Sequence, residues 1–206
     1  MSTPRGKLFV IAAPSGAGKT SLVRALMKRM PQLRFSISYT TRRPRDTEQN
    51  GHDYFFVDRA EFDRMVANGE FLEHAQVFDN CYGTSRAQVE QMLARGENVL
   101  LEIDWQGAQQ VRRAMPECRT IFILPPSREA LEQRLRTRAT DSEEVIARRL
   151  RDSIADMSHW DEFDYVVVND DFERATADLE AIASGRGEHL VANRSEIRTL
   201  IGSLLG

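Results

Sequence analysis

The amino-acid sequence predicts an α/β fold in which a parallel sheet is flanked by helices, with an inserted small mixed β/α lobe and a helical lid. Three observations lead to this prediction. A strand, a glycine-rich loop and a helix open the chain, short apolar runs alternate with helical patterns after residue 85, and residues 35–85 break that alternation. Strands joined through helices are typical of a parallel sheet covered on both faces. The strands predicted for this sheet are 7–13, 98–103, 119–124 and 165–168.

The helices are predicted from apolar residues at helical spacing and from stop signals. The first helix, 18–30, repeats apolar residues at Leu22, Val23 and Leu26 and stops before Pro31. The other helices are predicted at 85–94, 105–115, 128–138, 141–159, 172–184 and 194–204. The last of these is amphipathic and either packs on the core, which we favour, or meets a second copy of the chain in a homo-oligomer.

The region 35–85 is predicted to form the inserted lobe. It combines extended segments at 35–41, 54–57 and 70–78 with a polar loop at 42–53. Asp58, followed three residues later by Glu61, is a predicted N-cap for a helix that ends near Gly69. We therefore predict one domain with a core of 1–34, 86–127 and 156–206, a lobe of 35–85 and a lid of 128–155.

The composition excludes several classes of protein. The net charge of −3 disfavours a nucleic-acid or anionic-membrane partner, and no segment approaches the roughly twenty apolar residues of a membrane span. The N-terminal residues lead straight into a short apolar strand, unlike a signal peptide. Two cysteines are too few for a disulfide framework, and four scattered histidines offer no zinc site. We expect a cytoplasmic protein.

The segment APSGAGKT matches the phosphate-loop (P-loop) pattern, with alanine in place of the first glycine. Its small residues let backbone N–H groups curl around an anion, and the following helix presents its positive end. Lys19 would reach the β- and γ-phosphates, and the Thr20 hydroxyl would bind Mg²⁺. Because a strand precedes the loop and a helix follows it, we favour a P-loop NTPase-type fold over a chance glycine turn. The predicted ATP-binding residues here are Ala13, Pro14, Ser15, Gly16, Ala17, Gly18, Lys19, Thr20 and Ser21.

An acid at the end of a neighbouring strand is needed to hold magnesium through its waters. Glu102 and Asp104 stand at the end of the apolar run 98–103 and are the candidates. The alternative is that both acids are simply solvated at a strand end. Beside a P-loop, the role in binding Mg²⁺ is favoured.

Arginines concentrate in the loop after residue 41. Arg42, Arg43 and Arg45 have no acid among them, and Tyr54 lies downstream. Guanidinium groups bind the oxygens of a phosphate monoester in pairs. On charge alone, a solvated basic loop is an equally good interpretation.

Longer motifs make the resemblance specific. The P-loop, then SISYTTRRPRDTEQNGHDYFF, EFLEHAQVFDNCYGTS and LEIDWQGAQQ, resemble guanylate kinase, a P-loop nucleoside monophosphate kinase family of bacterial type, over nearly the whole chain. The resemblance implies transfer of a phosphoryl group from ATP to GMP with Mg²⁺. It also implies the GMP-binding residues Ser38, Arg42, Arg45, Tyr54, Glu73, Tyr82, Thr84 and Asp104.

The chemistry of guanine agrees with the residues implied to bind the base. Guanine presents two adjacent donors, N1–H and N2–H₂, beside the O6 acceptor. The Glu73 carboxylate can accept from both donors, and the hydroxyls of Ser38 and Thr84 can donate to O6. Adenine reverses this pattern, and each buried polar group left unpaired costs about 1–3 kcal/mol. The residues therefore favour GMP over AMP.

Arginines of the segment 128–151 are the predicted lid residues. Arg134 and Arg138 share a face if 128–138 is helical, and Arg149 begins a similar face in the next helix. The resemblance implies that these arginines and Lys19 are catalytic, and that Asn169 lies on the adenine side of ATP. Thr137 and Ala139 replace glycines expected near the hinge. The alternative is a salt-bridged surface helix, since glutamates interleave with the arginines.

Three alternative functions remain from the sequence. The first is a non-catalytic guanylate-kinase-like interaction module, which the intact Gly18-Lys19-Thr20 disfavours. The second is a kinase for another small phosphate such as a phosphorylated ribose, which Ser38, Glu73 and Thr84 together disfavour. The third is a nucleic-acid-binding P-loop protein, which the acidic net charge disfavours.

Overall fold

The structure is a computed structural model that describes residues 4–77, 79–137 and 142–206. The described residues form two compact units. The P-loop unit comprises those of Phe9–Pro31, Glu102–Trp105 and Arg119–Gly206, and the lobe unit comprises those of Met1–Leu8, Gln32–Leu101 and Gln106–Cys118. The predicted division into core, lobe and lid remains a prediction.

The parallel sheet contains all four strands that the apolar runs predict. Its strands, numbered in chain order, are β1 (Leu8–Ala12), β2 (Arg34–Phe35), β7 (Val99–Glu102), β8 (Arg119–Leu124) and β9 (Tyr165–Val168), in the spatial order β2-β7-β1-β8-β9. Every residue of β1 is buried, as expected for a strand that helices cover on both faces. Ile11 lies opposite Ile121, and Ile123 lies opposite Val167.

The helices of the P-loop unit lie close to their predicted bounds. They are α1 (Lys19–Arg29), α5 (Arg128–Thr137), α6 (Glu143–Met157), α7 (Phe172–Ala183) and α8 (Ser195–Leu205), with short 3₁₀ helices at Trp160–Glu162 and Glu188–Leu190. α1 packs against α7, and α6 packs against both α5 and α8. Ile197, Ile201 and Leu204 of α8 are buried, which confirms the predicted core packing of this helix. No helix in the described part of the chain is long and apolar enough to cross a membrane.

The lobe unit is built on a second, four-stranded sheet. Its strands are β3 (Tyr39–Thr40), β4 (Phe55–Phe56), β5 (Phe71–Val77) and β6 (Asn80–Ser85), in the order β4-β3-β6-β5. The helices are α2 (Arg59–Ala67), α3 (Arg86–Ala94) and α4 (Trp105–Ala114), of which α4 belongs to this unit from Gln106 onward. Phe62, Met65 and Phe71 pack with Cys81 in the core of the lobe. The Asp58 carboxylate accepts from the Glu61 N–H at 2.8 Å, which confirms the predicted cap of α2.

Two predictions for the lobe were wrong or incomplete. The segment 35–41 is not one strand, because Arg34–Phe35 pairs with β7 in the parallel sheet and Tyr39–Thr40 pairs with β6. The N–H of Ser36 still reaches the Leu100 carbonyl at 3.2 Å, after which the chain leaves that sheet. β6 was not predicted, because Asn80–Ser85 carries almost no apolar pattern.

Candidate functional site

The predicted phosphate-binding loop, residues 13–20, joins β1 to α1 and surrounds a cavity of about 260 Å³. Gly16 and Gly18 adopt φ angles of 86° and 95°, which turn the backbone around this cavity. α1 begins at Lys19 and has no acidic residue in its first turn. The loop and the helix N-terminus together suit an anion. The residues that line the cavity are Ala13, Pro14, Ser15, Gly16, Gly18, Lys19 and Thr20.

Asn169 and Arg134 hold the backbone of this loop. The Asn169 side-chain amide, which is buried, donates to the Ala17 carbonyl at 2.8 Å. Arg134 in turn donates from one guanidinium nitrogen to the Asn169 carbonyl at 2.7 Å, and a second nitrogen lies 3.5 Å from the Ala17 carbonyl. In this structure both side chains therefore brace the loop. Their predicted contacts with ATP and with the transferred phosphoryl group remain predictions.

We expect Gly18→Ala to weaken ATP binding. A Cβ atom at this position would lie 2.4 Å from the Asn169 amide nitrogen, so the bond between Asn169 and Ala17 would break. The left-handed backbone adds a conformational cost of about 1–2 kcal/mol. Urea unfolding and calorimetric titration with ATP would measure the two effects separately.

The control for this prediction is Gly185→Ala in the same unit. Gly185 has a φ angle of 76°, but a Cβ atom there would meet nothing within 4 Å. This variant should be destabilised only by the conformational cost of the left-handed backbone, and it should bind ATP normally. Equal losses of stability in the two variants, with ATP binding intact in both, would contradict the bracing role of Asn169.

Lys19 and Thr20 connect the loop to the end of β7. The Lys19 ammonium donates to the Ile103 carbonyl at 2.7 Å, and the Thr20 hydroxyl donates to Glu102 Oε1 at 2.6 Å. The structure thus brings together the hydroxyl and the carboxylate predicted to bind Mg²⁺. Both supply oxygen atoms, which Mg²⁺ prefers, so the residues fit the ion.

The charge on Lys19 is influenced by its surroundings. Desolvation by burial lowers the pKa of the Lys19 ammonium, and the carboxylates of Glu102 and Asp104 partly oppose this lowering. Asp104 therefore lies in the electrostatic environment of the P-loop, within the P-loop unit. Its predicted contact with GMP remains a prediction.

An ion pair orders the arginine-bearing loop of the lobe unit. Arg42 donates to Glu48 Oε1 at 2.8 Å, and the Arg45 N–H donates to Glu48 Oε2 at 2.8 Å. The hydrogen bond from Arg42, and then that from Arg45, hold the pKa of Glu48 below its usual value. Both side chains of the ion pair are partly buried, 19% exposed for Arg42 and 14% for Glu48. Sequence reasoning missed the role of Glu48, although this acid stands inside the arginine motif.

Two tyrosines lie beside Arg42. Its guanidinium lies 5.5 Å from the centre of the Tyr54 ring, and the Tyr54 and Tyr82 rings are 6.1 Å apart. A hydrogen bond to Tyr82 contributes, after that to Glu48, to raising the pKa of Arg42. The structure therefore brings together three of the four residues predicted to bind the GMP phosphate. The fourth, Arg45, is exposed and joins the group through its backbone N–H.

Glu73 and Thr84 form a buried pair on neighbouring strands. They lie opposite each other in β5 and β6, and the Thr84 hydroxyl donates to Glu73 Oε1 at 2.6 Å. Only 6% of Glu73 and 1% of Thr84 is exposed, so the carboxylate is held firmly. Thr84 and Tyr82 lie two residues apart on one face of β6, a separation of about 7 Å. The predicted base-binding and phosphate-binding residues are therefore neighbours.

The hydroxyl of Thr84 makes a hydrogen bond that the sequence did not predict. A hydroxyl has one proton, and here Thr84 donates it to Glu73 in a hydrogen bond, while its predicted contact with guanine remains a prediction. Ser38 lies just before β3, and its carbonyl accepts from the Phe55 N–H at 2.9 Å. Ser38 thus lies next to the same small sheet, and its predicted contact with guanine O6 remains a prediction.

The arginines of the predicted lid differ in their contacts. Arg136 pairs with Glu132 and Glu143, as the salt-bridged surface helix predicts. Arg134 instead contacts the P-loop backbone. Arg149 is exposed on α6, while Arg138 and Ala139 lie outside the described residues. α6 begins after Ser142, whose hydroxyl accepts from the Val145 N–H at 3.4 Å.

Known proteins resemble the chain over nearly its whole length. A family model described as guanylate kinase matches residues 5–185. The chain is 56% identical over 202 residues to a guanylate kinase of Methylococcus capsulatus, covering 98% of this chain and 99% of the relative. It is 53% identical over 205 residues to a guanylate kinase of Escherichia coli, covering 98% of each. The crystal structure of guanylate kinase from Anaplasma phagocytophilum matches with a TM-score of 0.70 and 34% identity, over 98% of this chain and 97% of that chain.

Proposed function

This chain belongs to the guanylate kinase family and is an ATP:GMP phosphotransferase, and we propose that its two anion-binding regions hold the two substrates. The phosphate-binding loop would bind ATP. The arginine-bearing loop, with β5 and β6, would bind GMP. Transfer of the γ-phosphoryl group then gives ADP and GDP, a reaction that recycles GMP in purine nucleotide metabolism.

The buried pair of Glu73 and Thr84 is the observation that carries the choice of GMP. A carboxylate has about four acceptor sites, so Glu73 can accept from Thr84 and from guanine N1–H and N2–H₂ together. Thr84 would orient the carboxylate, and Ser38 would donate to O6. Adenine would place a lone pair against the carboxylate, leaving buried polar groups unpaired.

The GMP phosphate would bind beside Arg42. A guanidinium carries five N–H donors in a fixed fork, so Arg42 can keep its bond to Glu48 and still donate to phosphate oxygens. Arg45, Tyr54 and Tyr82 would complete the anion site. Glu48 would act by holding Arg42 and the backbone of Arg45 in place.

Phosphoryl transfer would depend on positioning and charge. The acceptor oxygen is already largely ionised near pH 7, since the second pKa of a phosphate monoester is about 6, so no general base is needed. Lys19 would bind the β- and γ-phosphates, and Arg134, Arg138 and Arg149 would stabilise the charge that develops during transfer. Thr20, and Glu102 through water, would hold Mg²⁺, which when bound neutralises phosphate charge. Asn169 would stay near the adenine side of ATP.

The alternatives make different predictions. A non-catalytic interaction module would not need the contact between Lys19 and the end of β7. Such a module would show no turnover. A kinase for a phosphorylated ribose would need no buried carboxylate on the base side. We further propose a cytoplasmic protein whose partners are its nucleotides and neither nucleic acid nor membrane, in keeping with the net charge of −3.

A coupled assay of ADP release tests the proposal directly. The acceptors are GMP, AMP, CMP, UMP and ribose phosphates, each with ATP and Mg²⁺. We expect turnover with GMP at least about a thousandfold above that with AMP, because two or three unpaired polar groups oppose adenine. Equal turnover with AMP would reject base reading by Glu73, and absence of turnover with every acceptor would favour the interaction module.

A further inference from the structure

Helix α6 makes one hydrogen bond to the phosphate-binding loop and another to Trp105, in the segment that follows β7. The hydroxyl of Ser153, which is fully buried, donates to the Ser15 carbonyl of the phosphate-binding loop at 3.1 Å. Three residues later, Asp156 Oδ1 accepts from the Trp105 indole N–H at 3.0 Å. Residues three apart lie on one face of a helix. One rigid face of α6 therefore holds both the phosphate-binding loop and the segment after β7.

Trp105 is fixed at its ring face as well as at its N–H. Its indole stacks on the His159 imidazole, with ring centres 3.4 Å apart and planes 11° from parallel. His159 Nδ1 lies 2.6 Å from Glu162 Oε1, which orients the imidazole. An indole held at its edge and its face has little freedom, so the backbone at Trp105 is also held.

Trp105 is the last residue of the segment 102–105, which contacts Lys19 and Thr20. Ile103 accepts from the Lys19 ammonium at 2.7 Å through its carbonyl, and Glu102 accepts from Thr20 at 2.6 Å. The segment 102–105 is therefore held by the phosphate-binding loop at its start and by α6 at its end. A shift at Trp105 would be passed on to Asp104 and Glu102, which are only one and three residues away.

Burial disfavours the charged form of the Asp156 carboxylate in this position. It is half-buried, and burial raises its pKa, while the bond from Trp105 lowers it and the neighbouring carboxylates Asp104 and Asp152 raise it. Its charge is also close enough to Lys19 to oppose the lowering of the Lys19 pKa. Simple packing of α6 would be served by an apolar side chain, so the acid points to a need for an acceptor at the indole N–H.

We propose that Asp156 and Trp105 are positioning residues for the ATP site. Asp156 holds Trp105 in place, and Trp105 in turn holds the segment 102–105. Because α6 also contacts the phosphate-binding loop, it fixes the distance between that loop and the segment 102–105. Glu102 and the Ile103 carbonyl then meet Thr20 and Lys19 in the arrangement that receives Mg²⁺ and ATP. This inference rests on the proposed role of Lys19, Thr20 and Glu102 in binding that substrate.

A double-mutant cycle tests the coupling of the two residues. Asp156→Leu removes the acceptor with little change of size, and Trp105→Phe removes the donor but leaves an aromatic ring for His159. We expect each variant to lower kcat about tenfold, and the double variant to lose little more than either single one, because the same bond is lost. Asp156→Asn keeps an acceptor oxygen and should stay within about threefold of wild type. The control is Trp160→Phe, the other tryptophan, which should leave kcat unchanged.

A binding measurement separates positioning from stability. Calorimetric titration with ATP, without acceptor, gives the affinity with and without Mg²⁺ for each variant. We expect the gain in affinity that Mg²⁺ provides to shrink about tenfold in Asp156→Leu and in Trp105→Phe, and to persist in Asp156→Asn. Variants that unfold at lower temperature but keep both kcat and the Mg²⁺-dependent gain would overturn the inference.

The outcome also distinguishes this inference from the proposed ATP site. If Lys19→Ala lowers kcat and weakens ATP binding while the Asp156 and Trp105 variants behave as wild type, the positioning role is wrong and the ATP site stands. If Lys19→Ala is harmless as well, the site itself is misplaced and the inference fails with it.

Discussion

Lys19→Ala is expected to lower kcat by about a hundredfold or more, the loss typical of removing one preorganised donor to a charged transition state. Among the described residues that line the phosphate-binding cavity, Lys19 is the only one with an ammonium group. Alanine keeps the helix N-terminus and the backbone donors of the loop, so ATP should still bind, though more weakly. The measurement is ADP release at saturating GMP and Mg²⁺-ATP.

Folding should survive this substitution. Burial lowers the pKa of Lys19, which means that the folded protein disfavours its charged form, so loss of the charge removes an unfavourable contribution at neutral pH. Loss of the hydrogen bond to the Ile103 carbonyl, in contrast, lowers the stability of the folded protein. We expect Tm to stay within about 3 °C of wild type, the shift that about 1 kcal/mol produces in a chain of this size. The control is Lys28→Ala, an exposed lysine in the last turn of the same helix. Near-wild-type kcat in Lys19→Ala would reject the phosphate role.

Glu73→Gln is expected to raise the KM for GMP between about fivefold and about a hundredfold, which corresponds to about 1–3 kcal/mol for a buried polar group left without its partner. Glutamine can still accept from Thr84 through its amide oxygen, so the pair in the lobe core is kept. The amide nitrogen, however, is a donor and would face the donors of guanine. The loss should fall on GMP binding, and kcat should change less.

The same variant should narrow the preference for GMP over AMP. An amide donor can pair with the lone pair at adenine N1, which a carboxylate cannot do. The comparison is kcat/KM for the two acceptors in wild type, Glu73→Gln and the control Glu90→Gln, an exposed acid on α3. An unchanged KM for GMP in Glu73→Gln would show that another residue reads the base.

Local patterns predicted the P-loop well, because all its information lies in one short segment. The strand, the glycines and the helix of residues 7–30 follow one another directly, and the observed β1 and α1 differ from the prediction by one residue at each end. The cap of α2 was predicted for the same reason, since Asp58 and Glu61 are three residues apart. Signals of this kind need no knowledge of the tertiary fold.

Pairs that form across the chain could not be predicted in the same way. Glu73 meets Thr84 only because β6 pairs with β5, and β6 lacks the alternating apolar residues by which a strand is recognised. Asp156 and Trp105 are 51 residues apart, and neither stands in a motif that marks the contact. The resemblance to guanylate kinase named Glu73 and Thr84, but it did not indicate that Thr84 donates a hydrogen bond to Glu73.

The braced phosphate-binding loop has a consequence for the thermodynamics of ATP binding. Side chains from three distant parts of the chain, Asn169, Arg134 and Ser153, hold backbone carbonyls of this loop through hydrogen bonds within the protein itself. The loop therefore gives up its conformational entropy when the chain folds, at a cost of about 1–2 kcal/mol for each ordered residue, and not when ATP arrives. ATP meets a receptor that is already shaped, so its binding energy remains available for the reacting phosphates.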